Sequence, residues 1–505
     1  GIKYLVAGNL ATGALLLLAL CFAAVNGSFA VAPLARGAAT STGLLFMLAL
    51  IGFGTKAGIV PMHVWLPDAH TAAPSHVSAL MSAVMITMGF YGLCRFIPLL
   101  GTPALWWGYL LMGLGAVGMV GGILFSIAQR DVKRALAYST VEHAGLVTLA
   151  MGVGLLGTVL HHPLLAGLAW TAALLHLWNH ALAKSLLFLG FGVIAQRAGS
   201  RDLDAMGGFL SRWKVVGGAV VVGAAAIAAL PGLNVFTSEW LLFRALLSGG
   251  LELGGADRVA LLGAVVALAA AGALAVAGFA RLVGIGLLGT PRTAAAAAAA
   301  APGGAIRVPL LLLGTGCLVV AAIPGSVVQG LTAAVGIVAP AADLTAARSA
   351  LAPVAMLLPA LGALIVLVLA TRAVVDRRAL QRVGATWRCG YPAPTPRMQY
   401  TSTSFASGLM DIMQPVLHRD NSATVATVPS GVSVSQAAWP VAATWSTETV
   451  DRVLTGGYLP LFAAVARAGE RLRSLHRTRV TTSLVYMVAT VVVLLGLLFL
   501  PGLGR

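Results

Sequence analysis

Apolar runs of eighteen or more residues recur along almost the whole chain, and such runs do not belong in the core of a water-soluble domain. Each can cross a bilayer as a helix, which pairs every backbone N–H and C=O within its own segment. With 59% of the 505 residues hydrophobic and 9% charged, there is too little polar surface to clothe a soluble fold of this size. The sequence therefore predicts an all-α polytopic membrane protein of about eleven transmembrane helices. They lie near 4–25, 43–66, 76–97, 105–127, 137–158, 164–195, 214–247, 257–289, 306–326, 350–371 and 481–501. The spans at 43–66 and 214–247 hold Pro or Gly at internal points and read as broken helices.

A net charge of +17 raises the question of nucleic acid, but the basic residues form no groove-binding patch interleaved with aromatics, so a nucleic-acid partner is not expected. They alternate by loop instead. Odd loops hold single arginines, Arg36, Arg95, Arg258 and Arg348. Even loops hold clusters: Arg130, Lys133 and Arg134; Arg197, Arg201, Arg212 and Lys214; Arg281, Arg292 and Arg307; then thirteen arginines between Arg372 and Arg479. The positive-inside rule makes the even loops cytoplasmic, with residue 1 and the 372–480 segment inside and Arg505 outside. Within 372–480, Val450, Leu454, Tyr458, Leu461, Val465, Ala468, Leu472 and Leu475 recur every three or four residues, predicting an amphipathic surface helix interrupted at Gly456, Gly457 and Pro460. Cys21, Cys94, Cys317 and Cys389 are isolated, with no pair at metal-ligand spacing, so metal or cluster cofactors are expected on other chains.

Charges inside the spans are the next constraint. Of five lysines, Lys3, Lys133 and Lys214 sit at span ends or in loops, whereas Lys56 and Lys184 lie within apolar sequence. A charge at mid-membrane costs at least about 2.5–3.5 kcal/mol, so each needs a partner or a function. Lysine can release its proton when desolvated and arginine cannot, so a chain with twenty-seven arginines that keeps lysine here points to proton handling. Among fifteen carboxylates, Glu142 and Glu239 are flanked by apolar residues on both sides, and Asp68 stands at the mouth of a span. Pro61 and Pro67 interrupt the span of Lys56; Pro231, with Gly232 and Asn234, interrupts that of Glu239. Between them His176, His180 and Lys184 follow at intervals of four on one helix stripe, suited to passing a proton. Zinc is the rival for the His-x-x-x-His spacing, though no catalytic Glu or third ligand accompanies it. For His63, His70, His76 and His143 a structural hydrogen-bonding role and a relay role both stay open.

Four stretches, "KAGIVPMHVWLPDAHTAAPSHVSALMSAVMI", "QRDVKRALAYSTVEHAG", "HLWNHALAKSLLFLG" and "LPGLNVFTSEW", resemble in order and spacing the antiporter-like proton-translocating subunits. Respiratory complex I, membrane-bound hydrogenases and multisubunit sodium/proton (Mrp) antiporters share these subunits, and the resemblance covers roughly residues 1–326. "STVEHAG", "FTSEWLLF" and the tail "TWRCGYPAPTPRMQYTSTSFA" look most like the type called hydrogenase-4 component B or formate hydrogenlyase subunit 3. The resemblance implies two inverted repeats of about five helices each around a hydrated charged axis at mid-membrane. It implies Lys56 as the pump lysine of the first repeat, Lys184 as the central lysine of the second, His176 and His180 as its neighbours, and Glu239 as the terminal exchange residue. Residues 1–104 would be the remainder of the first repeat, whose upstream helices are absent by truncation, and 105–289 the second. Residues 290–371 would add transmembrane helices, 372–480 the cytoplasmic or interfacial segment, and 481–505 a C-terminal transmembrane helix.

The chain departs from the family pattern in three respects. The glutamate that pairs with the Lys56 position lies in the absent helices. Thr87 stands where many relatives have lysine, and Ser82 where the threonine-bearing complex I type has histidine, leaving His76, about two turns away, as a substitute. Glu142 matches the hydrogenase-type members without an assignable step.

The expectation is a proton-translocating subunit of a hydrogenase-like or complex I-like redox complex in a prokaryotic inner membrane. It would have no redox centre of its own. Its partners would be other membrane subunits, the lipid bilayer and a peripheral redox arm carrying iron–sulfur clusters, with nickel–iron a further candidate. The alternatives are a sodium/proton antiporter subunit, a membrane partner of a carbon dioxide hydration enzyme, or a scaffold with vestigial charges.

Overall fold

The computed structural model describes residues 2–31, 33–34, 39–342, 344–378, 395–396, 398–417, 419–425, 443–449, 451, 453–464, 466–467, 488–489 and 492. The chain divides into two units, one of residues 1–19 and 31–417, the other of 20–30 and 418–505.

Helix α1 is Ile2–Asn26. Next come α2 (Ala39–Ala57), α3 (Leu66–Ala72), α4 (Ser75–Leu80) and α5 (Ile86–Phe96), the last two joined through a π turn at Met81–Met85. Then follow α6 (Leu105–Ala128), α7 (Val132–Val159) and α8 (Pro163–Ala198). After α9 (Phe209–Arg212) come α10 (Lys214–Ile227), α11 (Asn234–Glu252) and α12 (Gly255–Gly286). A short α13 (Ala294–Ala298) precedes α14 (Gly304–Ala322), α15 (Pro324–Val338), α16 (Leu344–Ala355) and α17 (Leu357–Arg378). Helices α18 (Ser402–Ile412) and α19 (Gln414–Leu417) end the first unit.

Among the described residues, eight helical stretches are long and apolar enough to cross a membrane. The expected spans at 43–66 and 214–247 are each split, the first after Ala57 and the second after Ile227. Gly58 and Gly232 take left-handed φ values of 74° and 87° at these breaks, and Pro67 sits in the first turn of α3. The span expected at 481–501 lies almost wholly outside the described residues.

Helices α6 and α7 run backbone against backbone. A Cβ on Gly115 or Gly122 would meet the main chain of α7, and one on Gly145 or Gly152 the main chain of α6. Every residue of α7 from Ala135 to Gly157 is buried, so it is the central helix of the first unit, with α8 packed along it.

In the second unit an antiparallel pair, β1 (Arg419–Val425) and β2 (Ala443–Thr449), sets Arg419 opposite Thr449 and Val425 opposite Ala443. This pair lies in the 372–480 segment, where the apolar periodicity predicted helix only from 450 onward. There, Val453–Tyr458 forms a π turn that continues as helix through 464, at the Gly456–Pro460 point where an interruption was expected. The rest of the amphipathic repeat, to Leu475, lies outside the described residues.

Candidate functional site

Lys184 occupies the middle of α8 and is fully buried. Its ammonium donates to the Leu136 carbonyl at 2.9 Å and to the Ser139 hydroxyl, both on α7, and lies 5.8 Å from the centre of the Phe279 ring on α12. Leu136 and Ser139 share one face of α7 because they are three residues apart. Glu142, three further on, is also buried and acts electrostatically on Lys184.

A line of side chains crosses from α7 to α11. His143 Nδ1 and His176 Nε2 are 3.0 Å apart, and His176 Nδ1 is 3.0 Å from Ser238 Oγ. The Ser238 hydroxyl donates back to the Val235 carbonyl at 2.8 Å and accepts from the Asn179 amide at 3.3 Å. With its proton so engaged, Ser238 must accept from His176 Nδ1–H, which leaves His176 Nε2 to accept from His143 Nδ1–H. The remaining nitrogen, His143 Nε2, is then bare. It faces Glu142 Oε2 at 3.9 Å, and neither atom has a hydrogen-bond partner among the described residues. The line is thus open at one end, between Glu142 and His143. Its far end, Ser238, adjoins Glu239, which is 9% exposed and so keeps a small opening.

Asn179 and Asn234 hold the second break against α8. The Asn179 amide donates to the Asn234 carbonyl at 2.7 Å, and the Asn234 amide returns a bond to the Asn179 carbonyl at 3.2 Å. The start of α11 is fixed beside His176 and His180 for that reason. His180 is buried, its ring centre 5.4 Å from that of His143.

The structure brings Lys184, His176, His180, Glu142 and Glu239 into one buried region between α7, α8 and α11. It does not bring in Lys56 or His76. Lys56, expected in the bilayer interior, is exposed: α2 turns Phe53 and Ala57 onto Gly89 and Gly92 of α5, and the next position round the helix is uncovered by any described residue. His76, expected as a relay substitute near Thr87, is also exposed and lines a cavity of about 620 Å³ with Ser75, Lys133, Gln196 and Arg201. Asp68, at the start of α3, pairs with Lys3 at 2.5 Å and Arg134 at 3.1 Å. Pro61 and Pro67 flank the first break, and Pro231 lies in the second.

Two basic residues assigned to the loop clusters are buried instead. Lys133 donates to the Ala73 carbonyl, and Arg281 lies inside α12. Residues the sequence left undecided or did not single out are His143, Ser139, Ser238, Asn179 and His70. His70 is fully buried and stacked on Phe188 at 4.8 Å. Ser238 and Asn179 fall within the quoted motifs, which was their only signal. Among the described residues, no group of three or more His, Cys, Asp or Glu is placed to hold a metal ion.

Residues 1–255 match the profile of the NADH:quinone oxidoreductase/Mrp antiporter transmembrane family. The chain belongs to this family. It is 41% identical over 298 residues to hydrogenase-4 component B of Escherichia coli K12, an alignment covering 58% of this chain and 44% of that protein. It is 35% identical over 375 residues to formate hydrogenlyase subunit 3 of the same strain, covering 74% of this chain and 60% of that one. In fold it is similar to a chain of the Mrp complex from Dietzia sp. DQ12-45-1b, with TM-score 0.57 and 27% identity over 74% of this chain and 40% of the other. The family match contains Lys184, Glu142 and Glu239, so the buried region described above lies within it.

Proposed function

We propose that this antiporter-family chain is a proton-translocating membrane subunit of a hydrogenase-like or complex I-like redox complex in a prokaryotic inner membrane. The observation that carries the reading is the hydrogen-bonded line from His143 through His176 to Ser238, with Glu142 facing its open end at 3.9 Å, beside a fully buried Lys184. A chain that only anchored partners would gain nothing from burying two carboxylates, three histidines and a lysine together, each costly to transfer from water.

In this reading Lys184 is the switch. While charged, its donors are held by Leu136 O and Ser139, and its field reaches Glu142. A proton delivered to His143 Nε2, the nitrogen that faces Glu142, makes the imidazole a donor at both nitrogens. His176 then accepts at Nε2 and releases its Nδ1 proton toward Ser238, which must turn from the Val235 carbonyl to pass one on to Glu239. Moving one charge against about 100 mV requires roughly 2.3 kcal/mol, which a change of about two units in proton affinity along the line supplies. A partner's redox step would drive that change. Iron–sulfur clusters and a nickel–iron centre would sit on partner subunits, and the basic end of the bundle would face the cytoplasm.

Lys56 keeps a place in the proposal as the lysine of a first repeat, residues 1–104, against a second repeat at 105–289, with its exposed face covered in the assembled complex. The test is proton uptake by vesicles containing the whole complex. Lys184→Met should abolish it while the partner's redox turnover persists; uptake at the wild-type ratio would remove the reading. The likeness to the Mrp complex favours a second reading, exchange of sodium for protons without redox chemistry. Copurification of only membrane subunits, with sodium-driven proton movement, would select it.

A further inference from the structure

The tail motif "MQYTSTSFA" has no part in the pathway above, yet it is built into the bundle at its basic end. The Gln399 amide donates to Thr290 Oγ1 at 2.9 Å and its carbonyl accepts from the Thr290 N–H at 3.0 Å. Arg292 donates to the Tyr400 carbonyl at 2.8 Å. Thr401 and Ser404 cap α18 reciprocally. Ser402 is fully buried: its N–H and hydroxyl donate to the two Asp204 oxygens at 2.6 and 2.8 Å, and its carbonyl accepts from Arg281 Nε at 2.9 Å. A second Arg281 nitrogen donates to the Gln129 carbonyl at 2.5 Å, and Nη1 has no hydrogen-bond partner among the described residues.

This contact joins the ends of the helices that hold Lys184. Asp204 lies in the Leu203–Ala205 turn that follows α8, and that turn is tied to the start of α7 by Leu203 N–H to Arg130 O at 3.1 Å and Val132 N–H to Arg201 O at 3.0 Å. Gln129 ends α6, and Arg281 belongs to α12. Leu136 and Ser139, the acceptors of Lys184, fall in the first two turns of α7, and Phe279 is two residues before Arg281. A surface tail could be anchored by exposed hydrogen bonds alone. A buried guanidinium with an unpaired nitrogen costs stability that anchoring does not require.

We propose that residues 399–404 are a positioning clasp for Lys184: the Asp204–Ser402–Arg281 set locks α7, α8 and α12 at one end. Leu136 O, Ser139 and Phe279 then meet the amine in a single geometry. The proposal rests on Lys184 carrying protons. Glu142 from α7 acts electrostatically on Lys184, and the field of Lys184 reaches Glu142 and His143 on α7, His180 on α8 and His70 on α3; the clasp touches none of them.

The test uses the whole complex in vesicles with Asp204→Asn and Ser402→Ala, alone and together, and Arg281→Lys as the conservative variant. Hydrogen exchange at 399–412 should rise at least roughly tenfold in the double variant. The midpoint of the pH profile for coupled proton movement should shift by about one unit toward alkaline pH, since water admitted beside an amine favours its charged form. Arg281→Lys should keep the wild-type midpoint. Raised exchange with an unmoved profile, or unraised exchange, overturns the clasp. If the double variant does not accumulate, Ser402→Ala, which removes one hydroxyl bond, decides by the same two readings. Lys184→Met, run in parallel, separates the two ideas: wild-type proton movement there defeats the pathway, whereas an inactive Lys184→Met beside unshifted clasp variants defeats the clasp alone.

Discussion

Lys184 is fully buried and, among the described residues, pairs with no carboxylate; a carbonyl and a hydroxyl accept its hydrogen bonds. Such a site tolerates either charge state, because a neutral amine has two N–H groups for the carbonyl and the hydroxyl, while an ammonium has one further N–H with the Phe279 ring 5.8 Å away. Arginine at this position would be fixed in charge, so Lys184→Arg should stop coupled proton movement as fully as Lys184→Met, measured as proton uptake per redox turnover. Retained uptake in the arginine variant would show that only a positive field is needed there. Ser238 is the second informative residue, since its hydroxyl sets the direction of the whole histidine line. Ser238→Ala removes the acceptor for His176 Nδ1–H and should slow proton movement at least about tenfold without altering assembly. Ser238→Thr, which keeps the hydroxyl, should restore most of the rate.

At the scale of elements, two devices hold these residues in place, glycine-lined helix contact and helix interruption. A Cβ at Gly145 would meet Met119 N and Gly115 O of α6. Gly145→Val should therefore destabilise the bundle by about 1–3 kcal/mol, seen as a lower thermal unfolding temperature in detergent. It should also weaken the His143–His176 contact, because His143 is two residues away on the same helix. How much of this was legible in the sequence depends on what hydropathy encodes. Hydropathy reports depth in the bilayer, so the spans, the breaks at Pro61 and Pro231, and the stripe of His176, His180 and Lys184 were readable. It does not report which face of a helix is covered. Lys56 and Lys184 look alike in sequence, but the neighbours of α2 leave one exposed and those of α8 enclose the other. Arg281 and Lys133 fail in the opposite sense: the charge alternation grouped them with the loop clusters, and the tail and the α3–α4 turn cover them. Hydrogen-bond direction along His143, His176 and Ser238 needs coordinates, because three motifs far apart in sequence supply it.

For the whole molecule, the basic loops at 129–134, 199–214 and 287–307 gather at one end of the first unit, and the loops at 101–104 and 159–163 at the other. An orientation set by these charges places Ser200 and Thr102 on opposite sides of the membrane. In inverted vesicles from cells expressing the assembled complex, with Cys21, Cys94, Cys317 and Cys389 replaced, Ser200→Cys should react with a membrane-impermeant maleimide and Thr102→Cys should not. The reverse pattern would place the basic end outside and reverse the pumping direction proposed above. Sidedness bears on mechanism because the cavity of about 620 Å³ beside His76 and Lys133 opens at the basic end, while Glu239 lies across α8 from Glu142. If the basic end is cytoplasmic, protons lost from the cytoplasm must reach the Glu142–His143 position from that side and leave past Glu239. Glu239→Gln should then trap the pathway after loading: one proton should be taken up per complex on first reduction of the partner, with no sustained uptake. Glu142→Gln should abolish even that first uptake. Identical behaviour of the two variants would mean that the carboxylates do not act in sequence, and the direction of transfer along the line would have to be abandoned.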